Sequence, residues 1–594
     1  MTKIKAADYI VELLASNGVE VVFGYQGGMV THLADSISKH PQMKFVQVYH
    51  EQTAAFAAVG YARKSGRIGV AIATSGPGAT NLITGIADAF FDSVPVVFIT
   101  GQVNAYEYKY DKPIRQLGFQ ETNIVDMLKP ITKYATLLDK IEDLPAEFAK
   151  AINIATSGRK GPVVIDLPMN VQREFVQLES LANLATVSSH QSVSPEFATQ
   201  LSSIVEKLRS AQRPLVLVGG GVAAANGFAI LSKFLQSNQL PFVSSLQGKT
   251  ACDETLERYL GTLGSYGNRC ANMAVANADL VLVLGSRLDL RQTGGVVASF
   301  ASSGEVIHLD IDDNELKHSR LNNKQNIHGD LVSTLTYLVS RVSKFTDNKW
   351  LNYLAQLKAR YNQAQEIVRT QIKSAPYDLI TFLNQISQDG DSFCADVGQN
   401  QMWTMQMLKL TQNQHFYTSG GLGAMGSALP ISLGVAFAEL NKSATIYSIS
   451  GDGGAHMALQ SLMLIKQYDL PIKVIIINNK TLGMITQFQE LYFDKNMVGT
   501  TAEGGYLVPD FEYLAKAYSL DYFKVDQTNN RAFESNDFAG FIAARNCLLE
   551  YVIDADCRVY PKLEYNQAIY NPSPMLPDAE LVANMLITLT EVNK

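Results

Sequence analysis

The chain has 594 residues, of which 47% are hydrophobic and 18% charged, and its formal net charge is −7. This composition predicts an ordered globular protein of about three or four domains. No block of basic residues favours nucleic acid or an anionic membrane surface as a partner, and no apolar run approaches the roughly 18 residues of a transmembrane helix. The five cysteines form no C-x-x-C pair, which predicts reduced thiols and a cytoplasmic location.

Three successive segments alternate apolar strands with helical stretches, a pattern that predicts an α/β fold of parallel sheets covered by helices. The strands expected from the apolar runs are, in chain order, VEVVFGY, KFVQVYH, GVAIATSG, VPVVFITG, GPVVIDL, RPLVLVGGGV, LPFVSS, DLVLVLGSR, EVIHLDID, DSFCADVG, ATIYSISGDG, PIKVIIINN and YFKVD. We predict three parallel-sheet domains with their connections: a first domain at 1–178, a Ser/Gln-rich linker at 179–194, a central domain at 195–345, a helical connector at 346–374, a third domain at 375–560 and a C-terminal tail at 561–594.

Three strands of the first segment are followed by glycine-rich or acidic loops, FGYQGG (23–28), HEQ (50–52) and TSGPGATN (74–81). Because parallel sheets bind ligands at the carboxyl ends of their strands, we expect the three loops at one edge of one sheet. Glycine loops that face the Glu51 carboxylate suit a flat heterocycle. The alternative for Glu51 is a first-turn acid that stabilises the helix dipole.

The run from Gly451 to Asn479 joins a strand, a GDG turn, a helix and a second strand that ends in Asn-Asn. Asp452 and Asn479 offer the oxygen ligands that Mg²⁺ prefers beside phosphate and water, and the glycines let backbone N–H groups approach a diphosphate. The run therefore predicts a metal-diphosphate clamp, with an ordinary glycine turn as the alternative. Two loops precede it, DVGQNQMW (396–403) and SGGLGAMG (419–426), and for the second the alternative is the packed start of a helix.

Taken in order, FGYQGG, HEQ, TSGPGATN, FQE, VGQNQMW, SGGLGAMG and GDG…INN…GM resemble the motifs of the thiamine diphosphate (ThDP) enzymes. They are most similar to the catalytic subunit of the acetolactate (acetohydroxyacid) synthases, and the chain also resembles the yersiniose-type carboligases. The resemblance implies pyrimidine-binding, central FAD-type and diphosphate-binding domains, in that order, and the cofactors ThDP, Mg²⁺ and FAD. It also implies a homodimer or homotetramer, because such enzymes form the active site between the first domain of one subunit and the third domain of another.

The resemblance assigns roles to particular residues. Four would act in catalysis or acceptor choice: Glu51 at the aminopyrimidine ring, Gly28 and Gln120 at the reacting oxygen and the acceptor, and Phe488 in the acceptor pocket. ThDP would contact Gly76, Pro77, Asn81, Val397, Gly398, Gln399, Gly423, Met425, Asp452, Gly453, Gly454, Asn479 and Met484. Mg²⁺ would bind Asp452, Asn479 and the backbone carbonyl of Thr481. The alternatives are a surface amide for Gln120 and core filling for Met425.

The glycine loops of the second segment resemble the FAD-binding loops of the same family. The implied contacts are Gly219, Gly220, Gly221, Ser245, Leu246, Leu263, Gly264, Gly285, Arg287, Asp289, Arg291, Asp310, Ile311, Gly329 and Asp330. Arg287 and Arg291 suit an anionic phosphate. In a relative without flavin the same glycines would only end strands.

The activity implied is decarboxylation of pyruvate with transfer of the two-carbon acetyl unit to a second ketone or aldehyde. Phe488 stands where the synthases typically have Trp, and 15 residues separate GQV from FQE, more than the synthases have. The tyrosines and basic residues of this insert suit a nucleotide-linked keto-sugar as acceptor, with a solvated loop or a subunit contact as the alternative. The same motifs also fit a flavin-dependent pyruvate oxidase and a cofactor-binding relative without turnover, while Glu51 argues against a glyoxylate carboligase.

Overall fold

The computed structural model describes residues 3–177, 194–439 and 443–589. The predicted linker at 179–194 lies outside the described residues except for Ser194, whose side chain accepts a hydrogen bond from the Phe197 N–H and caps the next helix. The end of the predicted tail, 590–594, lies outside them as well. Within the described ranges no helix is long and apolar enough to cross a membrane.

The first segment is built on a six-stranded parallel sheet. The strands of this segment, six in the sheet and two in a separate pair, are β1 (Lys3–Lys5), β2 (Val21–Gly24), β3 (Lys44–Gln47), β4 (Gly69–Ala73), β5 (Val96–Gln102), β6 (Tyr134–Leu137), β7 (Val163–Pro168) and β8 (Phe175–Gln177). The sheet has the order β3-β2-β4-β5-β7-β6, while β1 pairs antiparallel with β8. The helices are α1 (Ala6–Ser16), α2 (Thr31–Lys39), α3 (Glu51–Ser65), α4 (Pro77–Asn81), α5 (Ile83–Phe91), α6 (Ile124–Leu128), α7 (Leu144–Thr156) and α8 (Met169–Arg173).

The second segment carries a parallel sheet of different order. Its strands are β9 (Pro214–Val218), β10 (Phe242–Ser244), β11 (Tyr259–Thr262), β12 (Leu280–Leu284), β13 (Glu305–Asp310) and β14 (Lys324–His328). They are arranged β11-β10-β9-β12-β13-β14, so the strand order reverses between β9 and β12. The helices are α9 (Pro195–Ser210), α10 (Gly221–Ala224), α11 (Phe228–Asn238), α12 (Arg269–Asn277), α13 (Leu290–Thr293), α14 (Asp313–Lys317), α15 (Leu331–Leu338), α16 (Asn348–Tyr361) and α17 (Gln363–Thr370).

The third segment repeats the topology of the first. Its strands are β15 (Ser392–Ala395), β16 (His415–Tyr417), β17 (Ile446–Gly451), β18 (Ile472–Asn478), β19 (Asp521–Asp526) and β20 (Cys547–Val552). The order β16-β15-β17-β18-β20-β19 is that of the first sheet, a likeness that the two sequences do not show. The helices are α18 (Ala375–Ile386), α19 (Gln399–Met407), α20 (Ala428–Ala438), α21 (Asp452–His456), α22 (Leu462–Gln467), α23 (Gly483–Tyr492), α24 (Phe511–Ala517), α25 (Ala539–Ala543) and α26 (Asp578–Ala583).

The predicted α/β fold of three parallel-sheet domains is confirmed, and every strand expected from an apolar run is present. The sequence did not predict β1, β6, β8, β11, β14, β16 or β20. Of these, β6, β11, β14 and β16 lie at sheet edges, where a strand needs no continuous apolar run. The exact domain boundaries remain a prediction.

The first and third sheets are joined by an apolar core within one chain. Helix α3 packs along α20, and the cluster between them includes Phe56 of α3, Phe98 of β5 and Leu433 of α20, all fully buried. This packing fixes the orientation of the two sheets whose carboxyl edges carry the candidate site residues.

The C-terminal residues pack against the central segment instead of forming a separate unit. Arg269 of α12 is fully buried and pairs with Glu366 of α17 at 3.0 Å. The Arg269 guanidinium also donates hydrogen bonds to the carbonyl oxygens of Pro572 at 3.0 Å and Pro574 at 2.7 Å. One side chain therefore ties residues 572–574 to α12 and α17.

Arg269→Ala is expected to lower the free energy of unfolding by about 3 kcal/mol, because a buried carboxylate and two carbonyl groups each lose a donor. The value is at the lower end for a broken buried pair, since Arg369 still bonds Glu366 at 2.6 Å. Urea unfolding measures the change. Arg209→Ala, which removes an exposed pair with Glu206, should cost less than about 1 kcal/mol, and equal losses in the two variants would contradict the prediction.

Candidate active site

Glu51 is the first residue of α3, at the carboxyl edge of the first sheet, and it is 7% exposed. His50 caps this helix, since its Nδ1 accepts a hydrogen bond of 3.1 Å from the Gln52 N–H. The Glu51 carboxylate accepts a hydrogen bond of 2.9 Å from Asn81 Nδ2, at the end of α4. A buried acceptor therefore faces the TSGPGATN loop.

The TSGPGATN loop also contacts the other loops of this edge. Thr74 Oγ1 accepts a hydrogen bond of 3.2 Å from the Met29 N–H, one residue after Gly28. A β-carbon built at Gly76 would lie 3.0 Å from the carbonyl oxygen of Gln120. The strand ends thus bring together Gly28, Glu51, Gly76, Pro77, Asn81 and Gln120.

Asp452 begins α21 directly after β17 and is 2% exposed. Its Oδ1 accepts hydrogen bonds from the Gly453 N–H at 2.8 Å and from the Tyr506 hydroxyl at 3.1 Å. Burial raises the pKa of the Asp452 carboxyl to about 6, against the effect of these hydrogen bonds. Its Oδ2 is buried and has no hydrogen-bond partner in the described part of the chain.

Asn479 follows β18, the neighbour of β17, and is also buried. Its Oδ1 accepts a hydrogen bond of 3.2 Å from the Thr481 N–H, a local turn of the kind that asparagine side chains form. Lys480 between them has φ +58°, which reverses the chain at this point. The hydroxyl oxygen of Thr481 is a second buried atom without a partner among the described residues.

The donor set at these two strand ends suits a hard divalent cation. Two buried oxygens without partners and the Asn479 amide lie where β17 and β18 end, and carboxylate, amide and carbonyl oxygens are the protein ligands that Mg²⁺ accepts beside phosphate and water. No cluster of three His, Cys, Asp or Glu side chains able to hold a metal occurs in the ranges that the structure describes. A cation here would therefore depend on one carboxylate and on a bound anion.

Asp396, at the end of β15, holds the clamp and the SGGLGAMG loop together. It is fully buried, and its carboxylate accepts hydrogen bonds from the N–H groups of Gly426 at 2.9 Å and Ser427 at 3.0 Å. A β-carbon at Gly454 would lie 1.8 Å from Asp396 Oδ2, so only glycine fits there. Burial raises the pKa of Asp396 to about 6.

Met425 and Gly423 lie in the SGGLGAMG loop before α20. Met425 is half-buried, and its methyl group would be 3.8 Å from a β-carbon at Gly453. Gly423 has φ +73°, and a β-carbon there would meet nothing within 4 Å. The loop thus presents an apolar side chain and open backbone next to the GDG turn.

Val397 and Gly398 form the turn that leads into α19, which begins at Gln399. Gln399 Oε1 accepts a hydrogen bond of 3.3 Å from Asn479 Nδ2, and its amide donates to Gln487 and to the Cys557 carbonyl. Its side chain is thus engaged with Asn479, and the N–H groups at the start of α19 are the donors that remain for an anion.

Met484 and Phe488 are four residues apart on α23 and so share one face of the helix. Met484 Sδ accepts a hydrogen bond of 3.5 Å from the Tyr266 hydroxyl of the central segment. Phe488 is 37% exposed and lies 4.9 Å from the Tyr492 ring and 5.6 Å from the Phe493 ring. An aromatic surface therefore begins where the Asp452–Asn479 clamp ends.

The predicted flavin residues all follow strands of the central sheet. Gly219 to Gly221 come after β9, Ser245 and Leu246 after β10, Leu263 and Gly264 after β11, Gly285, Arg287, Asp289 and Arg291 after β12, Asp310 and Ile311 at the end of β13, and Gly329 and Asp330 after β14. The Gly221 N–H donates to the Gly285 carbonyl at 2.9 Å, across the point where the strand order reverses. Open α/β sheets bind nucleotides at such a reversal.

Several of these residues have local structural roles as well. Asp289 caps α13 and pairs with Arg287 at 3.2 Å, and Asp330 caps α15. Arg291 is exposed and its guanidinium donates to Met402 Sδ at 3.6 Å. The residues fit a nucleotide cofactor by their position at the ends of the central strands.

The candidate residues fall into two groups within one chain. The first group comprises Gly28, Glu51, Gly76, Pro77, Asn81 and Gln120 of the first segment. The second comprises the residues of the third segment around Asp452 and Met425, from Val397 to Thr481. Across the described residues no hydrogen bond or ion pair joins a member of the first group to a member of the second. Where α3 begins, Thr53 instead contacts Ser461 at 3.3 Å, before α22.

Sequence reasoning missed three residues that hold this site. The Tyr506 hydroxyl donates a hydrogen bond to Asp452 from a loop 54 positions away. Asp92 of the first segment accepts hydrogen bonds from the SGGLGAMG loop. Asp396, which also accepts hydrogen bonds from that loop, was seen only as part of a motif. Only Asp396 carried a signal, an acid at the end of a strand before a glycine turn.

Comparisons with known proteins agree with this architecture. Three family models match the chain: Thiamine pyrophosphate enzyme, N-terminal TPP binding domain, at residues 4–127, its central domain at 201–338, and its C-terminal TPP binding domain at 396–537. Thiamine pyrophosphate is another name for ThDP. The two cofactor-binding models match most of the first and third sheets and include the loops that carry the two groups, but β6, β7, β15 and β20 lie outside the matched ranges.

Among similar proteins, the acetolactate synthase isozyme 2 large subunit of Escherichia coli (strain K12) is 37% identical over 523 residues, covering 87% of this chain and 90% of that protein. The acetolactate synthase large subunit of Lactococcus lactis subsp. lactis (strain IL1403) is 34% identical, covering 95% and 96%. Chloroplastic acetolactate synthase of Arabidopsis thaliana is 34% identical, covering 88% and 77%.

The chain belongs to the ThDP-dependent enzymes. Within that family it is close to the acetolactate synthase large subunits. The predictions of the ThDP-enzyme fold, of ThDP as cofactor and of a carboligase of acetolactate synthase type are therefore confirmed.

Proposed function

We propose that the protein decarboxylates pyruvate and transfers the resulting two-carbon acetyl unit to a second carbonyl compound, with ThDP held through Mg²⁺. The observation that carries the proposal is the buried clamp after β17 and β18, where Asp452 Oδ2 has no hydrogen-bond partner among the described residues, in a chain similar to acetolactate synthases. Bound ThDP would supply an electron sink for the carboxylate-bearing carbon of a 2-keto acid.

The residues would act in two groups. Asp452, Asn479 and the Thr481 carbonyl would bind Mg²⁺, and the N–H groups of Gly453, Gly454 and the start of α19 would face the diphosphate. Glu51 would exchange a proton with the aminopyrimidine ring, while Gly423 would accept a hydrogen bond from its amino group and Met425 would pack against it. Gly28 and Gln120 would donate to the oxygen of the reacting carbonyl.

The active unit would be a homodimer or a homotetramer, in which the first group of one subunit faces the second group of another. Two sets of exposed apolar side chains support this arrangement, one just before Gln120 in the sequence and one on and after α23: Ile114, Leu117 and Phe119, and Ile485, Phe488, Tyr492 and Phe493. Such patches on a folded chain are typical of interaction sites.

FAD is proposed for the central segment because its strand order is 3-2-1-4-5-6 and its glycine loops meet at the reversal between β9 and β12. We also propose a cytoplasmic location. All five cysteines are free and buried, as expected where thiols stay reduced.

The proposal is tested by incubating the purified protein with pyruvate, ThDP and Mg²⁺ and identifying products by mass. The expected products are CO₂ and 2-acetolactate in equal amounts, with no net reduction of bound flavin. Release of acetate with bleaching of the flavin would instead show a pyruvate oxidase. Absence of any pyruvate consumption by protein that binds ThDP would contradict the proposal.

A second acceptor class is supported by the insert at 104–118. It is anchored by a residue just after its end, since the Glu121 carboxylate accepts hydrogen bonds from the N–H groups of Lys109 at 3.0 Å and Leu117 at 2.7 Å. Tyr106 is 70% exposed, and Lys112 and Arg115 are also exposed. An exposed ring and two exposed cations in one loop suit an anionic, ring-bearing acceptor such as a nucleotide-linked keto-sugar.

The double variant Lys112→Ala plus Arg115→Ala is expected to raise KM for a nucleotide-linked keto-sugar about tenfold or more, because two charge-assisted contacts to phosphate are removed. Pyruvate decarboxylation without that acceptor should be unchanged. Steady-state kinetics with both acceptors measures the two effects, and Lys129→Ala, an exposed pair with Asp126 nearby, is the control. Unaltered KM for the sugar acceptor would exclude this role of the insert.

A further inference from the structure

The SGGLGAMG loop is fixed by carboxylates that belong to the first segment of the same chain. Asp92, the residue directly after α5, accepts hydrogen bonds from the Gly420 N–H at 3.0 Å through Oδ2 and from the Gly421 N–H at 2.7 Å through Oδ1. Four residues earlier on α5, Asp88 is fully buried and accepts a hydrogen bond from the Ser419 hydroxyl. Ser419 Oγ in turn accepts the Ala424 N–H at 2.8 Å.

The surroundings of Asp92 show that this contact is built into the fold. Its side chain is 3% exposed, Gln247 of the central segment donates to Oδ2 at 2.8 Å, and Arg63 of α3 lies 3.7 Å away. Arg63 also donates to the carbonyl of Thr418, the residue before the loop, at 2.9 Å. All three segments therefore meet at one buried carboxylate.

The two glycines that open the loop are required by this contact. A β-carbon at Gly420 would lie 2.1 Å from Gln247 Nε2, and one at Gly421 would lie 2.8 Å from Phe91 Cβ. The sequence alone left helix-entry packing as an alternative for these glycines. Their close approach to Gln247, Phe91 and Asp92 gives a different reason for them.

The contacts also determine what the loop can offer a ligand. The N–H groups of Gly420, Gly421 and Ala424 donate to Asp92 and Ser419, and the N–H group of Gly426 donates to Asp396. With these four donors engaged, the loop offers a ligand the open backbone at Gly423 and the Met425 side chain. Such a surface suits a ligand that brings its own N–H donors and an apolar ring.

We propose that Asp92 is a positioning residue for the cofactor site, assisted by the Asp88–Ser419 pair, and that it holds the SGGLGAMG loop so that Gly423 and Met425 can receive the aminopyrimidine. This inference rests on the proposed function for the identity of the ligand, but the hydrogen bonds from the loop to Asp92 are a property of the protein without ligand. It makes the geometry of a third-segment loop depend on the first segment of the same subunit.

The isosteric change Asp92→Asn removes the negative charge and replaces one of the two oxygens that face the Gly420 and Gly421 N–H groups by an NH₂ donor. In the protein free of ThDP, amide hydrogen exchange of residues 418–426 is expected to become about tenfold faster or more, the size of a lost charge-assisted hydrogen bond. Exchange in α21 and β18 should stay at the wild-type rate. Ser419→Ala should accelerate the same peptide through the Ala424 N–H.

With ligand, Asp92→Asn is expected to weaken ThDP binding about tenfold or more by calorimetry and to lower kcat at saturating ThDP, with KM for pyruvate within about twofold of wild type. The near-ultraviolet circular dichroism of bound ThDP should change, which a purely structural role would not cause. Asp126→Asn, an exposed first-segment carboxylate, is the control.

Wild-type exchange of residues 418–426 and wild-type ThDP affinity in Asp92→Asn would overturn the inference. A globally accelerated exchange, reaching α21 and β18, would also overturn it by showing general destabilisation. If the wild-type protein binds ThDP but does not consume pyruvate, the proposed function fails, whereas the exchange measurement on ligand-free protein still decides whether Asp92 holds the loop.

Discussion

Glu51→Gln is expected to lower pyruvate turnover by about 10²- to 10⁴-fold, the contribution usual for a positioned acid–base group. The amide has the size of the carboxylate but cannot take up the proton of an aminopyrimidine ring. Because Asn81 Nδ2 can still donate to the remaining carbonyl oxygen, the side chain should keep its place. ThDP affinity is therefore expected to stay within a few-fold of wild type.

Steady-state kinetics at saturating ThDP measures the turnover, and calorimetry measures the affinity for ThDP. Glu12→Gln makes the same chemical change on α1, where the side chain is 53% exposed, and should leave both quantities unaltered. Turnover of Glu51→Gln near the wild-type level would show that this carboxylate is not the proton-exchanging group and would return it to the role of a helix-dipole acid.

The sequence predicted the strands that carry the site because these strands are buried on both faces and appear as apolar runs, as for β4, β5, β17 and β18. It missed β20 although this strand lies inside the third sheet, since CLLEYV contains a glutamate. That carboxylate, Glu550, is satisfied by Asn478 at 2.7 Å and by the Tyr522 hydroxyl, partners on other strands that no local pattern reveals.

The candidate site was predictable where function depends on loops directly after strands, because the carboxyl edge of a parallel sheet gathers such loops. Glu51, Asp452 and Asn479 were found in this way. Tyr506 and Asp92 act through contacts with distant parts of the chain, and their neighbours in sequence carry no periodicity that would mark them. Position after a strand is a local property, whereas hydrogen bonding between segments is not.

Asp452→Asn is expected to abolish Mg²⁺-dependent ThDP binding, with a loss of affinity of about 100-fold or more. It removes the carboxylate of the proposed ligand set, and loss of a residue that only orients a metal ligand already costs about 10- to 100-fold. The same change should not destabilise the ligand-free protein. Burial of the unpartnered Oδ2 is costly, as the raised pKa of this carboxyl indicates, and a neutral amide avoids that cost.

Thermal unfolding distinguishes the two effects in one experiment. A ligand that binds only the folded protein stabilises it by RT ln(1 + [L]/Kd), so ThDP with Mg²⁺ should raise the midpoint of the wild type and leave that of Asp452→Asn unchanged. Without ligand the variant should unfold at the wild-type temperature or above. Tyr506→Phe, which removes only the hydrogen bond to Oδ1, should retain most of the ligand-induced rise. If ThDP and Mg²⁺ stabilise Asp452→Asn as fully as the wild type, the cation does not bind at Asp452. It would then have to bind elsewhere, because in the described chain no other carboxylate begins a helix at the end of β17 or β18.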